Sequence, residues 1–157
     1  MSNNYKPFDR EAYKKAVPKS RRIVKSLLED MGYKVETRKR KFDPDFILTD
    51  TAGNTSKFDV SVKVSWTTIY PYGDNIRFPA RVLKWTTSGP MTFGICNADC
   101  SQMFVFGGTT VASSPIINVE TRFSQQPEPF VNVPIKAAIK YERVKVGKKK
   151  QWIQKEK

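Results

Sequence analysis

Residues 56–66, SKFDVSVKVSW, alternate between apolar and polar side chains along the chain. An alternation of period two predicts a β-strand with one buried face, because successive side chains of a strand point to opposite sides of the sheet. The polar side of such a strand usually faces solvent. Here the polar side presents an acid, a hydroxyl and a lysine, which are also the groups of a hydrolytic site. The apolar side carries Phe58, Val60, Val62, Val64 and Trp66, and the polar side carries Asp59, Ser61, Lys63 and Ser65.

An amphipathic helix is predicted before this strand. Between Lys19 and Gly32 the apolar residues recur at helical spacing, and Gly32 supplies a C-terminal stop. A shorter helix is predicted ahead of it, with Asp9 as its N-cap and Pro18 as its interruption. The apolar positions of the longer helix are Ile23, Val24, Leu27, Leu28 and Met31.

Most of the remaining chain is predicted to form short strands. YKVETRKRKF (33–42) and DPDFILTD (43–50) predict two strands, and TAGNTS (51–56) is the turn that leads into the alternating strand. After a loop, RFPARVLKW (77–85) predicts a short helix with Pro79 in its first turn. MTFGIC and QMFVFGG predict a β-hairpin, and FVNVPIKAAIKYERV is compatible with either strand or helix.

This order of elements predicts an α/β fold, with a central mixed β-sheet flanked by helices in a single domain. A length of 157 residues is enough for one domain with a real core. We expect a helical lead-in over residues 1–18, the α/β domain over 19–142, and a solvated basic tail over 143–157.

The net charge of the chain is strongly positive. Lys and Arg number 28 against 15 Asp and Glu, which gives a formal charge of +13 and a pI near 9.8. A surplus of this size predicts a polyanionic partner, most often nucleic acid. An anionic membrane surface is the alternative, but the sequence has neither a long apolar span nor the apolar segment of a secretory signal. We therefore expect no membrane partner and an intracellular protein, in the cytoplasm or in the host cytoplasm of a virus.

The chain contains no histidine and only two cysteines, Cys96 and Cys100. Without histidine, Ser-His-Asp and Cys-His nucleophile systems and His-ligated zinc sites are excluded. The two cysteines lack further partners for a zinc tetrahedron, so buried or half-buried thiols are the preferred interpretation. An enzyme of this composition must use carboxylates, lysine, hydroxyls and a hard metal ion such as Mg²⁺, which prefers oxygen ligands.

Asp45 and Lys63 are candidate catalytic residues, because their strands are expected to be neighbours. Adjacent strands lie only about 4.8 Å apart, so the two side chains could face the same groove. A carboxylate there can hold Mg²⁺, and a lysine beside it can orient or deprotonate an attacking water and offset charge at a phosphate.

The order of these residues and elements resembles the PD-(D/E)xK nuclease superfamily, which includes restriction endonucleases and Holliday junction resolvases. The resemblance covers residues 19–106 and rests on MGYKV, DPDFIL, DVSVKV and the TFGIC and MFVFGG strands. It implies a restriction endonuclease-like fold, a Mg²⁺ or Mn²⁺ cofactor and metal-dependent hydrolysis of DNA, with branched DNA as an expected substrate. It also implies a homodimer that cuts two strands, and the biology of a phage or another mobile element.

The resemblance assigns roles to single residues. Asp45 corresponds to the metal-binding aspartate, Lys63 to the lysine, and the backbone carbonyl of Val62 to a further metal ligand. The second acid of the motif stands two residues before the lysine, where this chain has Ser61, which is retained as a candidate catalytic residue. The family often has a glutamate early in the leading helix, where this chain has KSRR.

Since Ser61 stands where the family has its second acid, a metal site at Asp45 needs an acid from elsewhere in the chain. Asp59 has suitable chemistry, but it lies about 6.6 Å along the strand from Ser61 and about 13 Å from Lys63, which is too far to share one metal ion. Asp74, in the loop after the strand, is the better candidate. The metal-ligand candidates besides Asp45 and Val62 are Asp59, Asp74, Glu29 and Glu11.

Three groups of side chains are candidates for nucleic-acid contacts. The run TRKRK (37–41) is either an edge that blocks strand pairing or a ridge that contacts phosphates. The basic residues of the predicted short helix share a face that points either to solvent or to a phosphate backbone. Trp66, Tyr70 and Tyr72 could stack on unpaired bases, although a place in the core is the preferred interpretation. The basic candidates are Arg38, Lys39, Arg40, Lys41, Arg77, Arg81 and Lys84.

These features lead to three alternative functions. The first is a metal-dependent endonuclease, with DNA favoured over RNA as its substrate. The second is a nucleic-acid-binding protein that keeps the nuclease fold with an inactive site, which the serine at position 61 suggests. The third is a basic structural protein of a viral or nucleoprotein particle, which would need neither Asp45 nor Lys63.

Overall fold

The computed structural model of the protein describes residues 10–38, 43–120 and 126–155. It shows an α/β fold with one long helix, two β-sheets and several short helical segments. The helices are α1 (Arg10–Asp30) and α2 (Gly108–Ala112), with 3-10 helices at Ala80–Thr86 and Ile135–Ala137. The strands are β1 (Lys34–Thr37), β2 (Phe46–Thr49), β3 (Thr55–Lys63), β4 (Asn75–Pro79), β5 (Met91–Asn97), β6 (Gln102–Gly107), β7 (Ile116–Val119), β8 (Glu128–Pro134), β9 (Ile139–Val146) and β10 (Lys149–Gln154).

The larger sheet is mixed and has seven strands in the order β1-β2-β3-β5-β6-β9-β10. Strands β3 and β5 run parallel, and the other neighbouring pairs are antiparallel. The predicted α/β fold with a central mixed sheet is therefore confirmed. The hairpin predicted from MTFGIC and QMFVFGG is also confirmed, since these segments form β5 and β6.

Helix α1 covers one face of the large sheet and continues through Pro18. The sequence predicts two helices with a break at this proline, because a proline inside a helix removes a hydrogen bond and costs about 3 kcal/mol. The structure corrects this prediction. The buried residues of α1 recur every four positions on both sides of the proline, so one stripe packs on the sheet and offsets the cost. These residues are Ala16, Ser20, Val24 and Leu28.

The predicted helical lead-in is thus the first part of a longer helix. The boundary expected between residues 18 and 19 lies inside α1, and the predicted N-cap Asp9 lies outside the described residues. No helix in the described part of the chain is both long and apolar enough to cross a membrane.

A second sheet of three antiparallel strands, in the order β4-β8-β7, covers the other face of the large sheet. The helix predicted over residues 77–85 is wrong in its first part, since Asn75–Pro79 form β4 and the helical segment begins at Ala80. Ile76 and Phe78 alternate into the core while β4 pairs with β8, and this period of two favours a strand. Large side chains that share this core are Trp66, Phe93, Phe104 and Phe106.

The C-terminal residues form an ordered hairpin rather than the expected solvated tail. Strands β9 and β10 pair as antiparallel neighbours, and Gly147 between them has a φ of 62°. This left-handed conformation is accessible to glycine and suits a tight turn. Trp152 on β10 packs against the core under α1, so burial of its ring holds a strand that is otherwise polar and basic.

We predict that Gly94→Ala destabilises the fold, because a Cβ at this position of β5 would lie 2.9 Å from two ring atoms of the buried Phe58. Overpacking of this kind costs about 1–3 kcal/mol. Gly107→Ala is the matched control, since no atom lies within 4 Å of a Cβ built there. Denaturant unfolding measures both variants, and equal midpoints would contradict the close packing of β3 against β5.

Candidate active site

Two acids from neighbouring strands form the centre of the candidate site. The antiparallel pairing of Phe46 with Phe58 sets Asp45, just before β2, beside Asp59 on β3. The backbone N–H of Asp45 donates to Oδ1 of Asp59 at 3.2 Å. The N–H of Val60 donates to Oδ2 of Asp45 at 2.8 Å. Asp45 is 9% exposed. Water therefore screens the charge of its carboxylate only weakly.

The position of Asp59 corrects the expectation that this acid lies too far away to act with Asp45. That expectation counted residues along one strand, from Asp59 to Ser61 and Lys63. The decisive neighbour lies across the hairpin, and the pairing of β2 with β3 brings the two acids into contact. Lys63, in contrast, lies four residues beyond Asp59, about 13 Å along β3, so the register does not place it directly opposite Asp45.

Arg21 of α1 contacts the acid pair, and it was not among the residues that the sequence predicted for the site. Its Nη2 atom lies 3.0 Å from Oδ1 of Asp45, and its side chain is 50% exposed. The available signal was the KSRR segment, which occupies the place where the resembling nucleases often carry an acid. The guanidinium therefore neutralises the carboxylate that the resemblance assigns to a metal ion.

The two acids do not ionise independently. Burial, the negative charge of Asp45 and a hydrogen bond between the two side chains together raise the pKa of Asp59 from 3.8 to about 7. The backbone N–H of Asp45 and the charge of Arg21 act in the opposite direction on this pKa. Near neutral pH Asp59 is therefore partly protonated, and a small change in its surroundings alters its charge.

A positive region continues along the same face of β3. Side chains of Asp59, Ser61 and Lys63 share the face opposite to α1, and Ser61 is exposed to solvent. Burial lowers the pKa of Lys63, and the positive charge of Arg77 on β4 lowers it further. Arg77 is an exposed residue of β4, in the second sheet that packs on this face of the large sheet.

Val62 and Asp74 were predicted as further metal ligands. The side chain of Val62 is buried in the core under α1, and the ligand predicted from this residue is its backbone carbonyl, three residues beyond Asp59 on β3. The carbonyl of Asp74 accepts the N–H of Ile135 at 2.8 Å, at the start of β4. In the described ranges no three acidic, thiol or imidazole side chains lie close enough to hold a metal ion. Neither Asp74 nor the helix acids Glu11 and Glu29 join the acid pair.

The basic candidates are separated by the fold. Arg77 lies on β4, whereas Arg81 and Lys84 lie on the following 3-10 helix, so the prediction that the three share one helical face is wrong for Arg77. Arg81 and Lys84 still lie on one side, because residues three apart eclipse in a 3-10 helix. Arg38 extends the pairing of β1 with β2 by donating its N–H to the carbonyl of Asp45 at 2.8 Å. Lys39, Arg40 and Lys41 lie outside the described residues.

The aromatic residues considered for base stacking and the two cysteines were interpreted as core residues. Trp66 is fully buried, as preferred, whereas Tyr72 is 46% exposed and Tyr70 is half-buried. Cys96 and Cys100 are buried free thiols, and this interpretation is confirmed.

A scan against models of protein families gives no match to this chain, and a search of curated proteins finds no relative of it. Asp45 and Asp59 supply two adjacent carboxylates, and Mg²⁺ is commonly bound by one or two carboxylates together with water and substrate phosphates. The donor set fits such an ion, provided that the half-exposed Arg21 side chain moves away from Asp45.

We predict that Asp59→Asn stabilises the protein above pH 7. Because the pKa of Asp59 is about 7 in the folded state and 3.8 unfolded, folding binds a proton between these values. This stabilising contribution is complete below pH 3.8 and is lost as the pH rises through 7. Such a rise in pKa corresponds to about 4 kcal/mol, and solvent at the open side of the pair reduces the effect to about 2 kcal/mol.

The measurement is the free energy of unfolding between pH 4 and pH 9. The variant should equal the parent protein at low pH and exceed it at high pH. Glu36→Gln on the neighbouring strand β1 is the control, since Glu36 is an exposed acid outside the pair. Parallel pH profiles of the parent protein and Asp59→Asn would contradict the raised pKa.

Proposed function

We propose that the protein is a metal-dependent nuclease of the PD-(D/E)xK type, with a restriction endonuclease-like arrangement of its central strands. The observation that carries this proposal is the contact between Asp45 and Asp59 across β2 and β3. In this assignment Asp59, rather than Ser61, is the second acid. Ser61 then takes the position of the motif's lysine, and Lys63 lies two residues further along the same face of β3.

The residues around the acid pair fit the hydrolysis of a phosphodiester. Asp45 and Asp59 would hold a Mg²⁺ or Mn²⁺ ion, which supplies charge stabilisation at the phosphate and an activated water. Lys63, further along the same face of β3, and Arg77 on β4 would attract the backbone of the substrate toward this face. Ser61 lies open to solvent between Asp59 and Lys63, so a phosphate can approach along this face.

The substrate class rests on charge and on the family resemblance. The formal charge of +13 favours a nucleic acid, and the resemblance favours DNA, including branched DNA. A homodimer would place two sites on the two strands of a duplex, and a phage or mobile element is the expected setting. These are proposals that accompany the nuclease assignment.

A nucleic-acid-binding protein with an inactive site is the second candidate. The ion pair between Arg21 and Asp45 favours it, because a guanidinium 3.0 Å from the carboxylate competes for the oxygen that a metal ion would use. In this case Lys63 and Arg77 would bind phosphates and no hydrolysis would follow. The basic structural protein remains a third alternative that no contact in the site favours over these two.

Cleavage assays distinguish the first two candidates. We predict that supercoiled, linear and four-way-junction DNA is cut with Mg²⁺ or Mn²⁺ and not with EDTA. Asp45→Asn and Asp59→Asn should each slow cutting by at least about 100-fold, while the control Glu36→Gln leaves it unchanged. Cutting that survives both substitutions would refute the site, and salt-sensitive binding without turnover would favour the second candidate.

Arg21 provides a separate test of metal binding. Arg21→Ala should tighten Mn²⁺ binding about fivefold, because a partly exposed ion pair contributes up to about 1 kcal/mol and its removal frees Asp45. Arg22→Ala, an exposed arginine on the same turn of α1, is the matched control for general charge. Calorimetric titration with Mn²⁺ measures both, and equal affinities of the two variants would show that Arg21 does not compete for a metal site.

A further inference from the structure

A second region with ligand-binding chemistry lies outside the acid pair. A cleft of about 710 Å³ opens between the loop before β4, strand β6 and the connection from β8 to β9. Its lining combines positively charged and apolar side chains. The lining includes Ile69, Tyr70, Phe104, Lys136, Lys140 and Lys155.

Three lysines give the cleft a positive charge. Lys136, on the 3-10 helix between β8 and β9, and Lys140, near the start of β9, are both exposed. Lys155, at the end of β10, lies 3.7 Å from Glu142, so part of its charge is compensated. Among the described residues of the lining, Asp74 is the one acid. Asp74 and Glu142 together offset two of the three lysine charges, and the remaining surplus favours an anionic ligand whose phosphates can contact Lys136 and Lys140.

An apolar surface faces these charges. Ile69 is 83% exposed, which is unusual for so large an apolar side chain. The half-buried Tyr70 and the buried Phe104 also line the cleft, with ring centroids 5.8 Å apart, and the fully buried Trp66 contacts both rings. Lys140 places its Nζ 5.7 Å from the centre of the Phe104 ring. Positive charge and flat apolar surface thus lie within one cleft.

The cleft lies on the same side of the large sheet as the side chains of Asp59, Ser61 and Lys63. The register of strands β3, β5, β6 and β9 places Ser61, Ile95, Phe104 and Lys140 in one row across the sheet. Adjacent strands lie about 4.8 Å apart, so Phe104 in the cleft is about 10 Å across the sheet from Ser61, which is two residues from Asp59.

We propose that this cleft binds an unpaired nucleic-acid strand that extends from the acid pair, with phosphates at Lys136 and Lys140 and bases against Ile69 and Tyr70. The choice of nucleic acid rests on the proposed function. An unpaired strand fits better than a duplex, because only a single strand exposes the flat faces of its bases together with its phosphates. The substrate class is then nucleic acid with a single-stranded segment beside the bond that is cut.

The test measures binding in EDTA, so that it is independent of cleavage. A fluorescent single-stranded 20-nucleotide DNA and its duplex are titrated with the full chain at several salt concentrations. The double variant Lys136→Ala/Lys140→Ala should bind the single strand at least about tenfold more weakly and lower the salt slope by about 1.4, the value for two phosphate contacts. The matched double variant Lys14→Ala/Lys15→Ala, on exposed positions of α1, should change affinity less than about threefold.

Ile69→Ser tests the base contacts without removing charge. Since the side chain is 83% exposed, the substitution should leave the melting temperature unchanged. It should weaken single-strand binding about threefold to tenfold and leave duplex binding unaffected. Equal losses for single strand and duplex, or no loss in either cleft variant, would overturn the proposal.

The outcome also separates this inference from the proposed nuclease activity. Single-strand binding through the cleft without metal-dependent cutting would support the cleft and refute the nuclease. Metal-dependent cutting by cleft variants with unchanged single-strand affinity would support the nuclease and refute the cleft. A protein that binds neither nucleic acid would refute both.

Discussion

The register of the β2–β3 hairpin is the constraint on which the candidate site depends. It sets Asp45 beside Asp59, and a shift of one residue would turn Asp59 toward α1 and separate the two carboxylates. The turn itself holds this register. The side chain of Asp50 accepts two backbone N–H groups of the turn at 3.0 and 2.8 Å, and Gly53 adopts a φ of 87°, which residues with a Cβ rarely adopt.

A pair of neighbouring carboxylates in a partly buried place needs compensating positive charge. The structure provides two sources: a proton, which the raised pKa of Asp59 retains up to about pH 7, and the guanidinium of Arg21. A divalent cation would be a third source that acts on the same oxygens. The two candidate functions differ in which source of positive charge the acid pair uses. Hydrolysis needs the metal ion, whereas binding of a polyanion does not.

The two faces of the large sheet have different roles. The face under α1 is closed by apolar packing, which Trp152 of the last strand helps to complete. The second sheet packs on the opposite face but leaves Ser61 exposed. Lys155, directly after the last strand, lines the cleft. The C-terminal segment therefore contributes both to the core and to the surface that we propose for an unpaired strand.

Local patterns in the sequence were sufficient for the elements, the faces of β3 and the chemistry that is available. The alternation of residues 56–66 depends only on the period of a strand, and the composition without histidine limits any catalysis to carboxylates, amines and hydroxyls. Tertiary structure alone decided that Asp59 meets Asp45, that Arg21 reaches the pair, that α1 continues through Pro18 and that the tail adds a strand. These features depend on strand register and on burial against distant residues, which no local period contains, since the packing of a whole face can outweigh the preference of a single residue.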